Sequence, residues 1–390
     1  MIPGERRAYD SLVKRIIPFL LLAGSLLAQQ DTTFEGYAAI ELANDKISVI
    51  VNKTGGGVTR IVLQNDPGEN NPIWNPARMS RELGEERKRV GGHFICVDGF
   101  GPVSKEEAAA GLPGHGEVHN LEMDIVSSGA ANGQREVTLR AKLPVVQEIF
   151  TRSYTVVDGE NVVYVDSELE NLLGFDRPIE WAEHATIGSP FLAPEVTVVD
   201  LSAGRSQVRP RPKGTGRRHR LKPGEDFAWP MAPAFSGGGL EDVRIVPREP
   251  GSSDHTTSLM DPNREHQFVT ALHREKRLLL GYVFRHQEFP WLQTWDAYSA
   301  NLKLARGLEF STQPYDVPRR QAISTGTMWG APTYRWLPAK STITARFLMF
   351  YTEVPEGFLK VDDIRLVNGE LIIEDRDSGK TVTLAASQGL

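Results

Sequence analysis

The chain has 390 residues and a formal net charge of -6, from 44 Lys plus Arg against 50 Asp plus Glu. That charge is spread along the whole sequence and excludes a general electrostatic affinity for nucleic acid. Hydrophobic residues at 40% provide for a buried core, and 36 glycines with 25 prolines predict many short strands joined by turns.

The N-terminus departs from this pattern. Arg6, Arg7, Lys14 and Arg15 precede an apolar run at 16–28 that ends in a small residue, Ala28, before Gln29-Gln30-Asp31. A basic start followed by such a run reads as a signal peptide over 1–28. The run falls short of the roughly 20 residues of a membrane span, so the expected location is periplasmic or secreted. An uncleaved N-terminal anchor is the alternative, because Leu26 stands where a cleavage site prefers a small residue. Cys96 is the single cysteine; export then brings no internal disulfide, and Cys96 is expected to be a buried thiol within Phe94-Ile95-Cys96-Val97.

The mature chain reads as strands nearly throughout. Residues 37–42 and 46–51 are β-rich and separated by the turn composition Ala43-Asn44-Asp45. Gly55-Gly56-Gly57 breaks the chain before another strand at 58–63. A long loop is expected at 65–91, with a polar turn or short helix at 81–89, and a second short helix at 105–110. Residues 136–143 alternate, with Val137, Leu139 and Ala141 on one face. Asp158-Gly159 between 154–157 and 162–165 signals a hairpin. A second long loop at 204–224 is strongly basic, from Arg205 and Arg209 to Arg220 and Lys222. It reads as a solvated loop or as a clamp for an anionic sugar or phosphate. Further strands are expected at 268–272, 278–284, 342–351, 364–367 and 371–374. The boundaries drawn are a domain at 31–359 and a C-terminal hairpin extension at 360–390.

Several chemistries find no motif. Gly55-Gly56-Gly57 lacks the Lys-Ser/Thr of a phosphate loop, no HExxH or CxxC supplies metal-ligand spacing, and no Gly-x-Ser-x-Gly marks a serine nucleophile. The candidates left are His115 and His119 in a Gly/Pro-rich turn, His184 in Trp181-Ala182-Glu183-His184-Ala185-Thr186-Ile187-Gly188, and Glu309 in Arg306-Gly307-Leu308-Glu309-Phe310. An acid between Leu308 and Phe310 is unusual, since a buried carboxylate needs a partner. In an extended 289–296, Trp291, Gln293 and Trp295 share one face. That face is either core or an apolar wall for a pyranose ring.

Taken in order, these segments resemble the galactose-mutarotase-like superfamily of aldose 1-epimerases and hexose-phosphate epimerases. The likeness runs through the strand–glycine turn–strand at 47–63, Gly91-Gly92-His93-Phe94 to Phe100-Gly101, His115-Gly116, the His184 segment, and Gly307-Leu308-Glu309 with Gln313-Pro314. The resemblance implies an all-β fold, a large antiparallel β-sandwich (supersandwich) with a sugar cleft across one sheet. It implies Glu309 as the general base that takes the anomeric proton and His184 as the general acid on the ring oxygen. It also implies His115 as a second histidine on the sugar. Arg89 and Asp254 are the nearest matches to the family's substrate-gripping arginine and aspartate, and Trp291 and Trp295 complete the substrate-binding set.

The function implied is aldose 1-epimerase-like interconversion of sugar anomers, with a non-catalytic carbohydrate-binding protein of the same fold as the alternative. The partner is a monosaccharide or the end of a sugar chain, with no nucleic acid and no membrane beyond an N-terminal anchor in the alternative that the signal segment stays uncleaved. Acid/base ring opening requires no metal and no organic cofactor.

Overall fold

A computed structural model describes residues 1, 30–82, 84, 91–210 and 218–390. The expected signal segment, Arg89 and the centre of the basic loop at 211–217 lie outside the described residues. Strands dominate, and among the described residues no helix is long and apolar enough to cross a membrane.

Two eight-stranded antiparallel sheets make the body. The first runs in the order Asp226–Phe227, Ala203–Val208, Ser252–Met260, Trp291–Tyr298, Leu304–Ser311, Trp181–His184, Phe94–Val97, and Thr186–Gly188 also pairs with Leu304–Ser311. The second runs Thr197–Leu201, Gln267–His273, Leu278–Phe284, Thr342–Glu353, Val162–Asn171, Glu148–Val157, Gln134–Leu143, Asp124–Ala131. A four-stranded meander, from Gln30–Phe34 to Val58–Leu63, packs on the same core. This is the large antiparallel β-sandwich that the resemblance implies.

Alternation sets the layers. Leu292, Leu308 and Phe310 point inward from the first sheet and meet Phe150, Tyr282, Phe284 and Phe347 of the second. Phe284 and Phe310 stack with centroids 4.5 Å apart and rings 9° from parallel, an offset arrangement that aromatic pairs prefer.

Leu278–Phe284 is buried at every position, which a sheet with one wet face would not produce. Its second cover is the C-terminal segment. Expected as a hairpin, the segment forms a three-stranded sheet of Asp363–Val367, Glu370–Asp375 and Lys380–Ala385. The third strand, Lys-Thr-Val-Thr-Leu-Ala, alternates, with Val382 and Leu384 turned to the core, and was missed. Ile364, Leu371, Ile373 and Leu384 seal Val162, Tyr164, Phe268, Leu272, Leu279, Val283, Leu348 and Phe350. Each such side chain gains about 1.5–3 kcal/mol from burial, so a chain ending at residue 359 is expected to be insoluble or to lose its cooperative thermal transition. Calorimetry of the truncated protein checks this; a Tm within 5 °C of the full chain would refute it.

The basic segment is less of a loop than expected, because Ala203–Val208 enters the first sheet. Residues 65–91 likewise hold the helix Pro76–Glu82.

Candidate functional site

Residues paired directly across an antiparallel ladder project to the same face, and that face alternates along each strand. Glu309 pairs with Gln293, Gly307 with Trp295, and Trp295 with His255. On the neighbouring strands Ser311 pairs with Ala182 and His184 with Phe94. The outer face of the first sheet therefore presents Glu309, Gln293, Trp295, His255, His184 and Phe94, while Phe310 and Leu308 turn inward.

Three of the expected residues converge there. His184 Nε2 lies 3.2 Å from Glu309 Oε1, without hydrogen-bond alignment. The ring centroids of His115 and His184 are 5.4 Å apart. Phe94 stacks on His184 at 4.1 Å, and Trp295 meets its edge at 6.3 Å. The turn carrying His115 is held open by the residue's own positive φ of 67°.

Gly307 makes room for this meeting. A Cβ there would stand 2.8 Å from Glu309 Cδ, so the carboxyl folds over the bare glycine. Because the clash involves the end of a flexible side chain, Gly307→Ala is expected to keep the fold and displace the carboxyl. A misplacement of about 1 Å can cost 10²-fold in rate. The variant should lose about that much turnover with a Tm shift of only a few degrees; unchanged turnover would refute the geometry.

The electrostatics follow from burial. Burial pushes Glu309 up to about 8, opposed only by the charge of Arg209. Burial, with His115 adding to it, drives His184 well below its usual value. The Thr186 hydroxyl reaches the carbonyl of His184 at 3.4 Å and its Nδ1 at 3.0 Å. With that hydroxyl donating to the carbonyl, Nδ1–H donates to Thr186 and Nε2 turns a lone pair toward Glu309. This tautomer is assigned from the hydrogen-bond pattern. The pair then holds one proton at neutral pH, mostly on the carboxyl.

The substrate-binding expectations divide. Trp295 sits in the site. Trp291 shares its face but is fully buried, its indole N–H donating to the Pro332 carbonyl at 2.7 Å under Trp329; it is a covered support and not a cleft wall. Asp254 is corrected, because it projects from the opposite face of its strand. There it accepts the N–H groups of Arg220 and Leu221 at 3.0 and 3.2 Å, with the Arg220 guanidinium 3.6 Å away. Its neighbour His255 faces the site instead, held neutral by a pKa pushed down to about 3, chiefly through burial. Arg89 lies outside the described residues.

Sequence reasoning missed an arginine–aspartate pair. Arg209 binds the Asp316 carboxylate, and its charge reaches both Glu309 and His255. Asp316 packs against Gly101 beside the His115 turn and donates its N–H to Gln293 Oε1 at 3.2 Å. Trp74, edge-on to Trp295 at 5.9 Å, was also missed. The basic content of 204–224 was the only hint of Arg209; nothing marked Asp316 or Trp74. Among the described residues no group of three or more His, Cys, Asp or Glu is placed to hold a metal ion.

Comparison with known proteins gives a likeness of architecture only. No family model matches the sequence, and no curated protein does. Among solved structures, a galactose mutarotase related enzyme of Lactobacillus acidophilus superposes with a TM-score of 0.54 at 12% identity, over 83% of this chain and 99% of its own. A galactose mutarotase-like protein of Clostridium acetobutylicum gives 0.55 at 13%, over 84% and 98%. A TPR-domain containing protein of Parabacteroides distasonis gives 0.55 at 13%, over 88% of this chain but 51% of its own, so the same sandwich also serves inside a larger chain. These superpositions span most of the sandwich just described, and the chain has the galactose-mutarotase-like fold.

Proposed function

We propose that the protein is an aldose 1-epimerase-like isomerase that interconverts the anomers of a free sugar by acid/base ring opening. One observation carries this reading: the 3.2 Å approach of His184 Nε2 to Glu309 Oε1, beside His115 and Trp295. A pyranose laid against Trp295 would part the two groups, taking its anomeric hydroxyl to Glu309 and its ring oxygen to His184.

The proton balance closes. The resting pair holds one proton, and its transfer from Glu309 to His184 gives a carboxylate and an imidazolium. Glu309 takes the proton of the anomeric hydroxyl while His184 gives its proton to the ring oxygen, and the C1–O5 bond breaks. The open-chain aldehyde forms, C1 rotates about C1–C2, and the steps reverse on the other face. Each proton transfer contributes on the order of 10²–10⁴-fold. His115 donates a hydrogen bond to the sugar, and the Arg209–Asp316 pair supplies the polar grip first sought at Arg89 and Asp254. The segment 1–28 supports a periplasmic or secreted setting, where free sugars are the available substrates.

Binding without turnover is the rival reading, favoured by the burial that keeps the His184 imidazole neutral. Polarimetry or NMR saturation exchange on fresh α-glucose and α-galactose separates the two. The epimerase accelerates equilibration, whereas a binder shows sugar affinity with no gain in rate, an outcome that would end the proposal of catalysis.

A further inference from the structure

We infer that Glu180, a buried carboxyl outside the reacting set, is a positioning residue that fixes the tautomer of His115 through the loop 98–101. The inference rests on the proposed function for its catalytic meaning, but its geometry stands by itself.

Glu180 is fully buried. Its backbone carbonyl accepts the N–H of Asp98 at 2.7 Å, and its side-chain Oε2 accepts the N–H of Phe100 at 3.1 Å. One residue thus holds two amides of a four-residue loop, and the Asp98 carboxylate ties the same loop to Arg177 and Arg319. The loop cannot shift easily. Asp98 and Gly101 have φ of 52° and 84°, and a Cβ on Gly99 would stand 2.9 Å from the amide N of Gly116.

The far end of the loop meets the site. Gly101 donates its N–H to His115 Nδ1 at 3.3 Å, and the N–H of His115 returns to the Gly101 carbonyl at 2.9 Å. An amide N–H can only donate, so Nδ1 must offer its lone pair, with the Cys96 thiol 3.4 Å from the same nitrogen. The ring proton then sits on Nε2, and His115 can give a hydrogen bond to a sugar oxygen. Phe100, between the two anchors, brings its ring within 6.4 Å of His115 and 6.1 Å of His184.

Burial raises the Glu180 carboxyl well above the usual range, so it acts as a neutral hydrogen-bond acceptor and not through charge. Glutamine offers the same carbonyl oxygen, which separates this role from a merely structural one. Selective ¹⁵N-histidine NMR of the full chain is the test. In the wild type and in Glu180→Gln, His115 should show a proton on Nε2, with similar kcat/KM. In Glu180→Leu the Nδ1 signal should move toward the protonated form, and kcat/KM should fall about ten- to hundredfold.

A wild-type His115 protonated on Nδ1 would overturn the inference, and that measurement stands even if Glu180→Leu does not fold. Equal behaviour of Glu180→Leu and the wild type, or a Glu180→Gln loss as large as that of leucine, would also overturn it. The tautomer signal does not depend on turnover. A tautomer change in a protein without epimerase activity would refute the proposed function while leaving the positioning role intact.

Discussion

Glu309→Gln is expected to abolish anomer interconversion while making the protein more stable at alkaline pH. Glutamine keeps the shape of the side chain but cannot accept the anomeric proton, so the rate gain should fall by at least about 10³-fold. Sugar affinity, which the proposed function assigns to Trp295, His115 and the Arg209–Asp316 pair, should change far less. The stability effect has the opposite sign. The folded carboxyl titrates at about 8 and its unfolded counterpart near 4.5, so the native state binds the extra proton. Its contribution is fully present below the unfolded value and is lost as pH rises through about 8. The glutamine variant has no such loss. Relative to the wild type it should gain progressively from pH 4.5 to 8, reaching an advantage on the order of 5 kcal/mol, and then level off. Urea titrations at pH 5 and pH 8.5 measure this; equal stability differences at both values would show that Glu309 is not held protonated by the fold.

The same shared proton shapes the pH–rate profile. The competent pair carries one proton, whichever of the two groups holds it at a given moment, and the titration belongs to the pair. Catalysis should therefore fall as pH rises through about 8, where the last proton leaves. On the acid side it should persist below the usual histidine range, because burial drives His184 well down.

Much of this site was legible in the sequence, for identifiable reasons. His115 stands between glycines and Glu309 between Leu308 and Phe310, where a polar side chain needs a reason to be, and His184 was singled out within its own segment. Trp295 followed from strand alternation alone. That argument could not say what else covers a face, and so it could not separate Trp295 from Trp291, which the turn at Trp329 buries. Asp254 failed through the other property of strands: one position decides the face, and His255 holds the position that looks outward. Arg209 and Asp316 are 107 residues apart in sequence, and only the pairing of distant strands brings them together.

Across the first sheet from His184, its neighbour Glu183 is held in a buried ionic cluster, and breaking that cluster should give the largest loss of stability of the point substitutions. Arg152 grips Glu183 with two N–H donors at 2.9 and 2.5 Å. His93 Nε2 and the Trp181 indole N–H approach the same carboxylate at 2.9 and 3.0 Å. Burial would raise the Glu183 pKa, but the charge of Arg152 and these bonds outweigh it and hold the group at about 2. Its stabilising share is thus present above the unfolded value near 4.5 and is lost as pH falls through about 2. Arg152→Met leaves the carboxylate buried without its counter-charge, at a cost of about 3–5 kcal/mol. The pH dependence should then reverse, because Glu183 would take up a proton on folding and stability would fall as pH rises. Adding Glu183→Leu to Arg152→Met removes the stranded charge and should recover most of the loss, since a well-packed apolar replacement often matches a buried ion pair. Denaturant unfolding of both variants at pH 5 and pH 8 decides the matter. A loss below about 1 kcal/mol in the single variant would mean that this cluster stabilises no more than a surface ion pair. The position of His184 would then depend on the Phe94 stack, the Thr186 hydroxyl and the sheet.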